Sequence, residues 1–286
     1  MNRIAAAKSG GKGRHVAYAL KLALCAAITL IIVVPLYWMI VTSFKSESDV
    51  YSMPIQFLPK APTTENYEYA FTQTRMPWYI LNSMVYVIVT VIVVIAVASL
   101  AAYSISRYRH RGKKPFLFAV LFSQYMPITT LIVPLYIAFS ALSLLNSRPA
   151  IIAIYCALQI PIAIWLLIGY FNGIPRALDE AATIDGCNSF QAFYKVVLPL
   201  ARSGLIAVGI SVAIAIWQEL ILAITFTNVD ELRPLMAGVS ATMTKSGIKW
   251  GQLAATGTIS CLPIIVIYGL CQRYLVRGMT SGAVKG

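Results

Sequence analysis

Six stretches of this chain are almost free of charge and each is about 20 residues long or longer, the length a helix needs to cross a bilayer. They cover Leu22–Phe44, Tyr79–Tyr103, Phe116–Leu142, Ala150–Tyr170, Leu205–Phe226 and Leu253–Tyr274. In hydrocarbon every backbone N–H and C=O must find its partner inside the segment, so runs of this kind fold as helices. Of the 286 residues, 59% are hydrophobic and only 12% charged, which is too apolar for a soluble domain. No stretch is long and polar enough for a second globular domain. The expected fold is all-α and polytopic, with six transmembrane helices.

The runs divide the chain into a basic tail over 1–21, a first transmembrane helix over 22–44, a loop over 45–78, a five-helix domain over 79–274 and a closing tail over 275–286. The first run resembles the core of a signal peptide, but it is long and no small-residue cleavage site follows, so an uncleaved anchor is expected. Pro127 and Pro134 lie inside the third run and predict a kink or a break there. Placing the amino terminus inside puts 16 Lys and Arg residues on the inner side and 7 on the outer. This asymmetry favours both termini in the cytoplasm. It also explains the net charge of +13 without a nucleic-acid partner. The outer loops 45–78 and 227–250 are large enough to meet a soluble partner, though ordinary solvated connections would read the same way. The five cysteines show no metal spacing, and their odd number argues against a disulfide framework.

The fourth and fifth runs are separated by a polar segment, residues 174–199, which the charge asymmetry places in the cytoplasm. Pro175 suits the first turn of a helix and Gly186 the left-handed residue that ends it. Asn188 followed by Gln191 predicts a second helix opened by a capping box. Leu178, Ala182 and Asp185 share one face of the first helix, with Ala181 and Ile184 beside them. The small alanines would let another protein's surface come close.

Glu180-Ala181-Ala182, Gly186 six residues after the glutamate, and Leu198-Pro199 resemble the cytoplasmic loop of bacterial ABC importer permeases. The resemblance extends over most of the chain, through Thr42-Ser43-Phe44-Lys45, Asn82-Ser83, Leu100-Ala101-Ala102-Tyr103, Pro134-Leu135-Tyr136, Trp165-Leu166-Leu167 and Trp217-Gln218-Glu219. The closing block, Gln272 to Gly278 and Gly282 to Gly286, is similar to the maltose-type carbohydrate branch. Cys187 stands where Ala or Ser is usual, Gln218 where Asn is usual, and Ser203-Gly204 replaces a common Pro-Gly.

The resemblance implies the fold of a type I ABC importer transmembrane domain, with 174–199 as a coupling helix-turn-helix seated on an ATPase. Glu180, Ala181, Ala182, Asp185, Gly186 and Pro199 would then couple this chain to that subunit. The implied partners are a second homologous permease, two ATPase subunits and an extracytoplasmic sugar-binding protein, in the plasma membrane of a prokaryote. ATP and magnesium would sit on the ATPase, since this chain has no Gly-rich run ending in Gly-Lys-Ser/Thr and no nucleophile–base pair or metal cluster.

Glu219 is the only acidic residue inside an expected span, and such a group faces a bundle interior or a wet path. Gln124, Tyr125, Gln159, Trp217, Gln218 and Glu219 are candidates for the translocation path, because rings stack on sugar faces and amides bond hydroxyls. Interhelical hydrogen bonds would explain the same residues. Two other readings stay open. One is an importer permease for glycerol phosphate, a polyol or another small solute, although the spans offer almost no basic groups for an anion. The other is a secondary transporter working alone, which predicts an internal repeat of spans that the sequence does not display.

Overall fold

The computed structural model describes residues 6–109, 111–241, 243–244 and 247–283, with side chains from His15 to Gln272 apart from that of Thr244. The basic side chains of the amino-terminal tail before His15, Lys245, and the closing block from Arg273 onward lie outside the described side chains.

The chain is helical almost throughout. The elements are α1 (Ala6–Ser43), α2 (Glu47–Val50), α3 (Glu65–Thr72), α4 (Met76–Arg107), α5 (Lys113–Ser123), α6 (Ile128–Ala141), α7 (Arg148–Asn172), α8 (Ala177–Ile184) and α9 (Ser189–Ala192). A widened π-type turn, Phe193–Val197, follows and leads into α10 (Leu198–Leu200), α11 (Arg202–Trp217), α12 (Ile221–Phe226), α13 (Leu235–Ser240) and α14 (Trp250–Ala283). Two two-residue strands, Met243–Thr244 and Gly247–Ile248, lie between the last two helices.

Among the described residues, four helical segments are long and apolar enough to cross a membrane unaided: His15–Ser43, Met76–Arg107, Arg148–Asn172 and Trp250–Gln272. The other two expected spans are each broken. The third is α5 and α6, bent by 91°. Its break falls at Pro127, which sits extended before α6 and whose carbonyl takes both the N–H and the hydroxyl of Thr130. Pro134, the other expected breaker, lies inside α6. The fifth span, expected as one helix over Leu205–Phe226, is α11 and then α12, with Gln218–Leu220 between them. The 16 residues of α11 reach about 24 Å at 1.5 Å per residue, short of a hydrocarbon core of about 30 Å, and the six-residue α12 follows the break.

The chain divides into two compact units. The smaller takes residues 1–70 and 245–258. Here the turn after α1 is tied to α3: Asn66 donates from Nδ2 to the carbonyls of Ser43 and Lys45, at 3.0 and 2.9 Å, and the Ser43 and Tyr67 hydroxyls lie 2.7 Å apart. Lys45 is buried, with its ammonium donating to the Gln56 carbonyl at 2.6 Å and 4.3 Å from the Trp38 ring centre. It is a packed cation, not a free loop charge.

The larger unit takes residues 71–244 and 259–286, and its core is the pairing of α4 with α7 and α11. Tyr79, Asn82, Tyr86, Thr90, Val94, Ala98 and Ala102 recur on one face of α4 at helical spacing and all are buried. The small members let α7 come close, where Ala163, Ile164, Leu167 and Phe171 are buried. Gly204, near the start of α11, marks an equally tight approach, since a Cβ there would overlap the Tyr170 ring.

Candidate functional site: the coupling loop and the broken spans

The segment 174–199 folds from local signals. The first helix, α8, begins at Ala177, two residues later than Pro175 suggests, because the Pro175 carbonyl closes a turn with the Leu178 N–H and Arg176 is the cap. At the other end Gly186 has φ +84°. The Cys187 N–H bonds the Ala182 carbonyl at 2.9 Å and the Gly186 N–H bonds that of Thr183 at 3.1 Å, which is a Schellman ending. Asn188 then opens α9 with both halves of a capping box: its Oδ1 accepts the Gln191 N–H at 2.8 Å, and Gln191 Oε1 accepts the Asn188 N–H at 2.9 Å. Farther on, Leu198 donates to the Phe193 carbonyl five residues back. The widened turn makes room for Pro199, whose ring has no N–H and would press on a normally placed carbonyl. Past Pro199 the chain turns 77° into α11.

The two faces of α8 differ. Glu180, Ala181, Ile184 and Asp185 are exposed, and Ile184 reaches 87% exposure. Phe190 and Tyr194, at 65% and 62%, extend the same kind of apolar surface beyond the turn, as does Leu200. Ala182, expected on the open face, is instead buried against this chain's own packing. Its small side chain serves the loop's seating and is not free to meet a second protein.

The inward face of α8 is held by polar contacts that the sequence did not suggest. Asp179 Oδ1 accepts from the Tyr103 hydroxyl at 2.8 Å, and its Oδ2 forms an ion pair with Arg107 Nε at 2.9 Å without hydrogen-bond geometry, so both its oxygens face groups of α4. Arg176 donates to the Ser106 carbonyl at 2.9 Å, and the Ser106 hydroxyl donates to Asn172 at 2.7 Å. The Tyr103 ring lies 4.9 Å from that of Phe193 and 6.1 Å from that of Phe171.

Three of the six path candidates, Gln124, Gln159 and Glu219, meet along one stretch of α7. Gln124 and Tyr125 occupy the break between α5 and α6, with Tyr125 82% exposed. Gln124 reaches the Leu158 carbonyl at 3.5 Å, beside the half-buried Gln159. Glu219, in the other break, accepts the Leu222 and Ala223 N–H groups at 2.8 and 3.0 Å and the Tyr155 hydroxyl at 3.2 Å. It caps α12 and ties it to α7. Gln218 is exposed next to it. Trp217 does not face a path: it is buried and its indole N–H donates to the Ser260 carbonyl at 3.1 Å. Asn82 is likewise fully committed, donating to the carbonyls of Glu231 and Arg233 and accepting from Arg148. These assignments were open in the sequence because interhelical bonding and path lining demand the same residue types.

A family model described as "binding-protein-dependent transport system inner membrane component" matches residues 94–281. The sulfoquinovosyl glycerol transport system permease protein of Agrobacterium fabrum is 32% identical over 252 residues, covering 88% of each chain. The diacetylchitobiose uptake system permease protein of Streptomyces coelicolor is 30% identical over 259 residues, covering 90% of this chain and 85% of its own. The trehalose/maltose transport system permease protein of Thermococcus litoralis is 30% identical over 262 residues, covering 91% of this chain and 94% of its own. The fold is also similar to a chain of a bacterial ABC transporter involved in the import of the acidic polysaccharide alginate, with a TM-score of 0.77, 22% identity, and coverage of 92% of this chain and 97% of that one.

Proposed function

This chain belongs to the binding-protein-dependent transport system inner membrane component family, and from that premise we propose that it imports a carbohydrate, of the disaccharide or oligosaccharide class, with energy from a separate ATPase. It is a multi-pass inner-membrane permease with the fold of an ABC importer transmembrane domain. In the proposed assembly it pairs with a second permease and two ATPase subunits that hold ATP and magnesium. An extracytoplasmic binding protein delivers the sugar. Relatives named for sulfoquinovosyl glycerol, diacetylchitobiose and trehalose/maltose support the sugar class.

The observation that carries the ATPase reading is the outward face of the coupling loop. Ile184, Phe190, Tyr194 and Leu200 are exposed apolar side chains on a polar connection that lies between spans, fixed in shape by caps at both helix ends. Exposed apolar surface on a rigid scaffold marks a protein contact. Asp179 and Ala182 face inward, so the loop presents one prepared side. The bias of 16 inner to 7 outer basic residues supports cytoplasmic placement of this face and of both termini. In α1 the side chains from His15 to Leu36 are exposed, which suits a helix covered by lipid and by the second permease.

The test is a single cysteine at Ile184 in a version otherwise lacking cysteines. It is expected to crosslink to the co-expressed ATPase and to resist an impermeant thiol reagent added from outside. Labelling from outside, or an assembled complex with no crosslink, overturns this placement.

A further inference from the structure

The helix α4 is one rod with a polar joint at each end. It runs from Met76 to Arg107, 32 residues and so about 48 Å. Its only proline is Pro77 in the first turn, and it contains no glycine, so nothing in its sequence would kink it between the ends.

At the cytoplasmic end Arg107 and Tyr103, one turn apart, hold the two carboxylate oxygens of Asp179 on the coupling helix. The Arg107 and Asp179 side chains are 6% and 18% exposed, so water and salt screen this pair poorly. At the other end, Tyr79, Asn82, Ser83 and Tyr86 hold the chain from Asp230 to Leu235. Tyr79 donates to Asp230 at 2.6 Å, Asn82 to the carbonyls of Glu231 and Arg233, and Tyr86 to that of Leu232 at 2.9 Å. Ser83 accepts the Leu235 N–H at 2.7 Å. Both joints lie within the larger unit.

We propose that Arg107 and Asp179 are positioning residues: they form the joint through which movement of the coupling helix is passed to α4, and α4 carries it to the outer segment Asp230–Leu235. The inference rests on the importer reading above and adds the route within this subunit. A helix held only by apolar packing can slide against its neighbour. The Tyr103 hydroxyl bond fixes one carboxylate oxygen and the poorly screened Arg107 charge holds the other, so displacing α8 displaces the end of α4. The tight fastening of 230–235 means that the far end cannot move without that segment following.

The test uses the complete complex of this chain, its partner permease and the ATPase in lipid nanodiscs. A spin label is attached at Val229→Cys, beside the outer segment, in a cysteine-depleted background. Magnesium-ATP with vanadate is the probe, and the change in label spectrum is read per nucleotide trapped. In the parent protein, trapping is expected to change the spectrum. Asp179→Asn is expected to cut that change at least twofold, and the reversed pair Arg107→Asp/Asp179→Arg to restore most of it, which a loss of general stability would not do. Asn82→Ala is expected to reduce the response similarly, and the double variant Asp179→Asn/Asn82→Ala to be no worse than the weaker single, as two breaks in one route require. Should Asp179→Asn fail to assemble, Tyr103→Phe removes one bond and keeps the ion pair, and a partial loss is expected. A full response in whichever of these variants assembles, or additive losses in the double, overturns the inference. A parent complex that traps no nucleotide instead overturns the importer reading itself.

Discussion

Replacing Gly186 with valine tests whether the shape of the coupling loop matters. Gly186 holds φ +84°, a region that costs a residue with a Cβ about 1–2 kcal/mol, and more when the side chain is β-branched. A Cβ built there meets nothing within 4 Å, so the penalty inside this chain is backbone strain and not collision. The chain can escape the strain only by unwinding the Schellman ending. That forfeits the Cys187-to-Ala182 and Gly186-to-Thr183 bonds, each worth about 1 kcal/mol net. Either route sets the cost of presenting the native loop at about 1–2 kcal/mol, which corresponds to roughly 5- to 30-fold in affinity. The spans are untouched, so membrane insertion is expected to be unchanged. The assay is titration of the ATPase onto the nanodisc-held permeases. Asn tolerates the left-handed region, so Gly186→Asn is expected to lose much less than Gly186→Val. Wild-type affinity in Gly186→Val would refute the reasoning that the loop's fixed angle is what the ATPase recognises.

Other substitutions bear on the same architecture. Glu219→Ala leaves the Leu222 and Ala223 N–H groups without their acceptor inside the membrane, and thermal unfolding in detergent is expected to show a loss of about 1–3 kcal/mol; Glu219→Gln, which keeps an acceptor oxygen, should lose less. Gly204→Ala drives a methyl into the Tyr170 ring and is expected to cost about 1–3 kcal/mol; Tyr170→Ala in the same chain should recover part of that loss in the same unfolding assay. Glu180→Ala removes an exposed charge from the first turn of α8 without reshaping it, so ATPase affinity is expected to fall by about 1 kcal/mol or less, well short of Gly186→Val.

Features set by near neighbours in the chain were legible. The Gly186 ending and the Asn188–Gln191 box each depend on residues within one helical turn, and both formed as read. Pro127 announced the break in the third span, though Pro134 carried the same signal and its helix continues. The break in the fifth span had no proline or glycine to mark it. Its cause is Glu219, whose carboxylate replaces helical carbonyls as the acceptor for two backbone N–H groups, and an acid alone in an apolar run could have suggested this. The joints of α4 were not legible. Arg107 and Asp179 are far apart in the chain, as are Asn82 and Glu231, and only packing of α4 against α7 and against the segment 230–240 brings them together. Trp217 looked available for a sugar because its ring chemistry permits it, yet burial and the Ser260 carbonyl claim it. Lys45 was counted as a loop charge, although the Trp38 ring and the Gln56 carbonyl enclose it.

The most direct measurement of the central claim is uptake of labelled disaccharides and oligosaccharides into lipid vesicles. One set holds this chain alone. A second holds it with the partner permease and ATPase, the binding protein outside and magnesium-ATP inside. Uptake is expected only in the second set, and is expected to stop when ATP or the binding protein is omitted. Accumulation by the isolated chain without ATP would contradict the importer reading and favour a transporter that works alone.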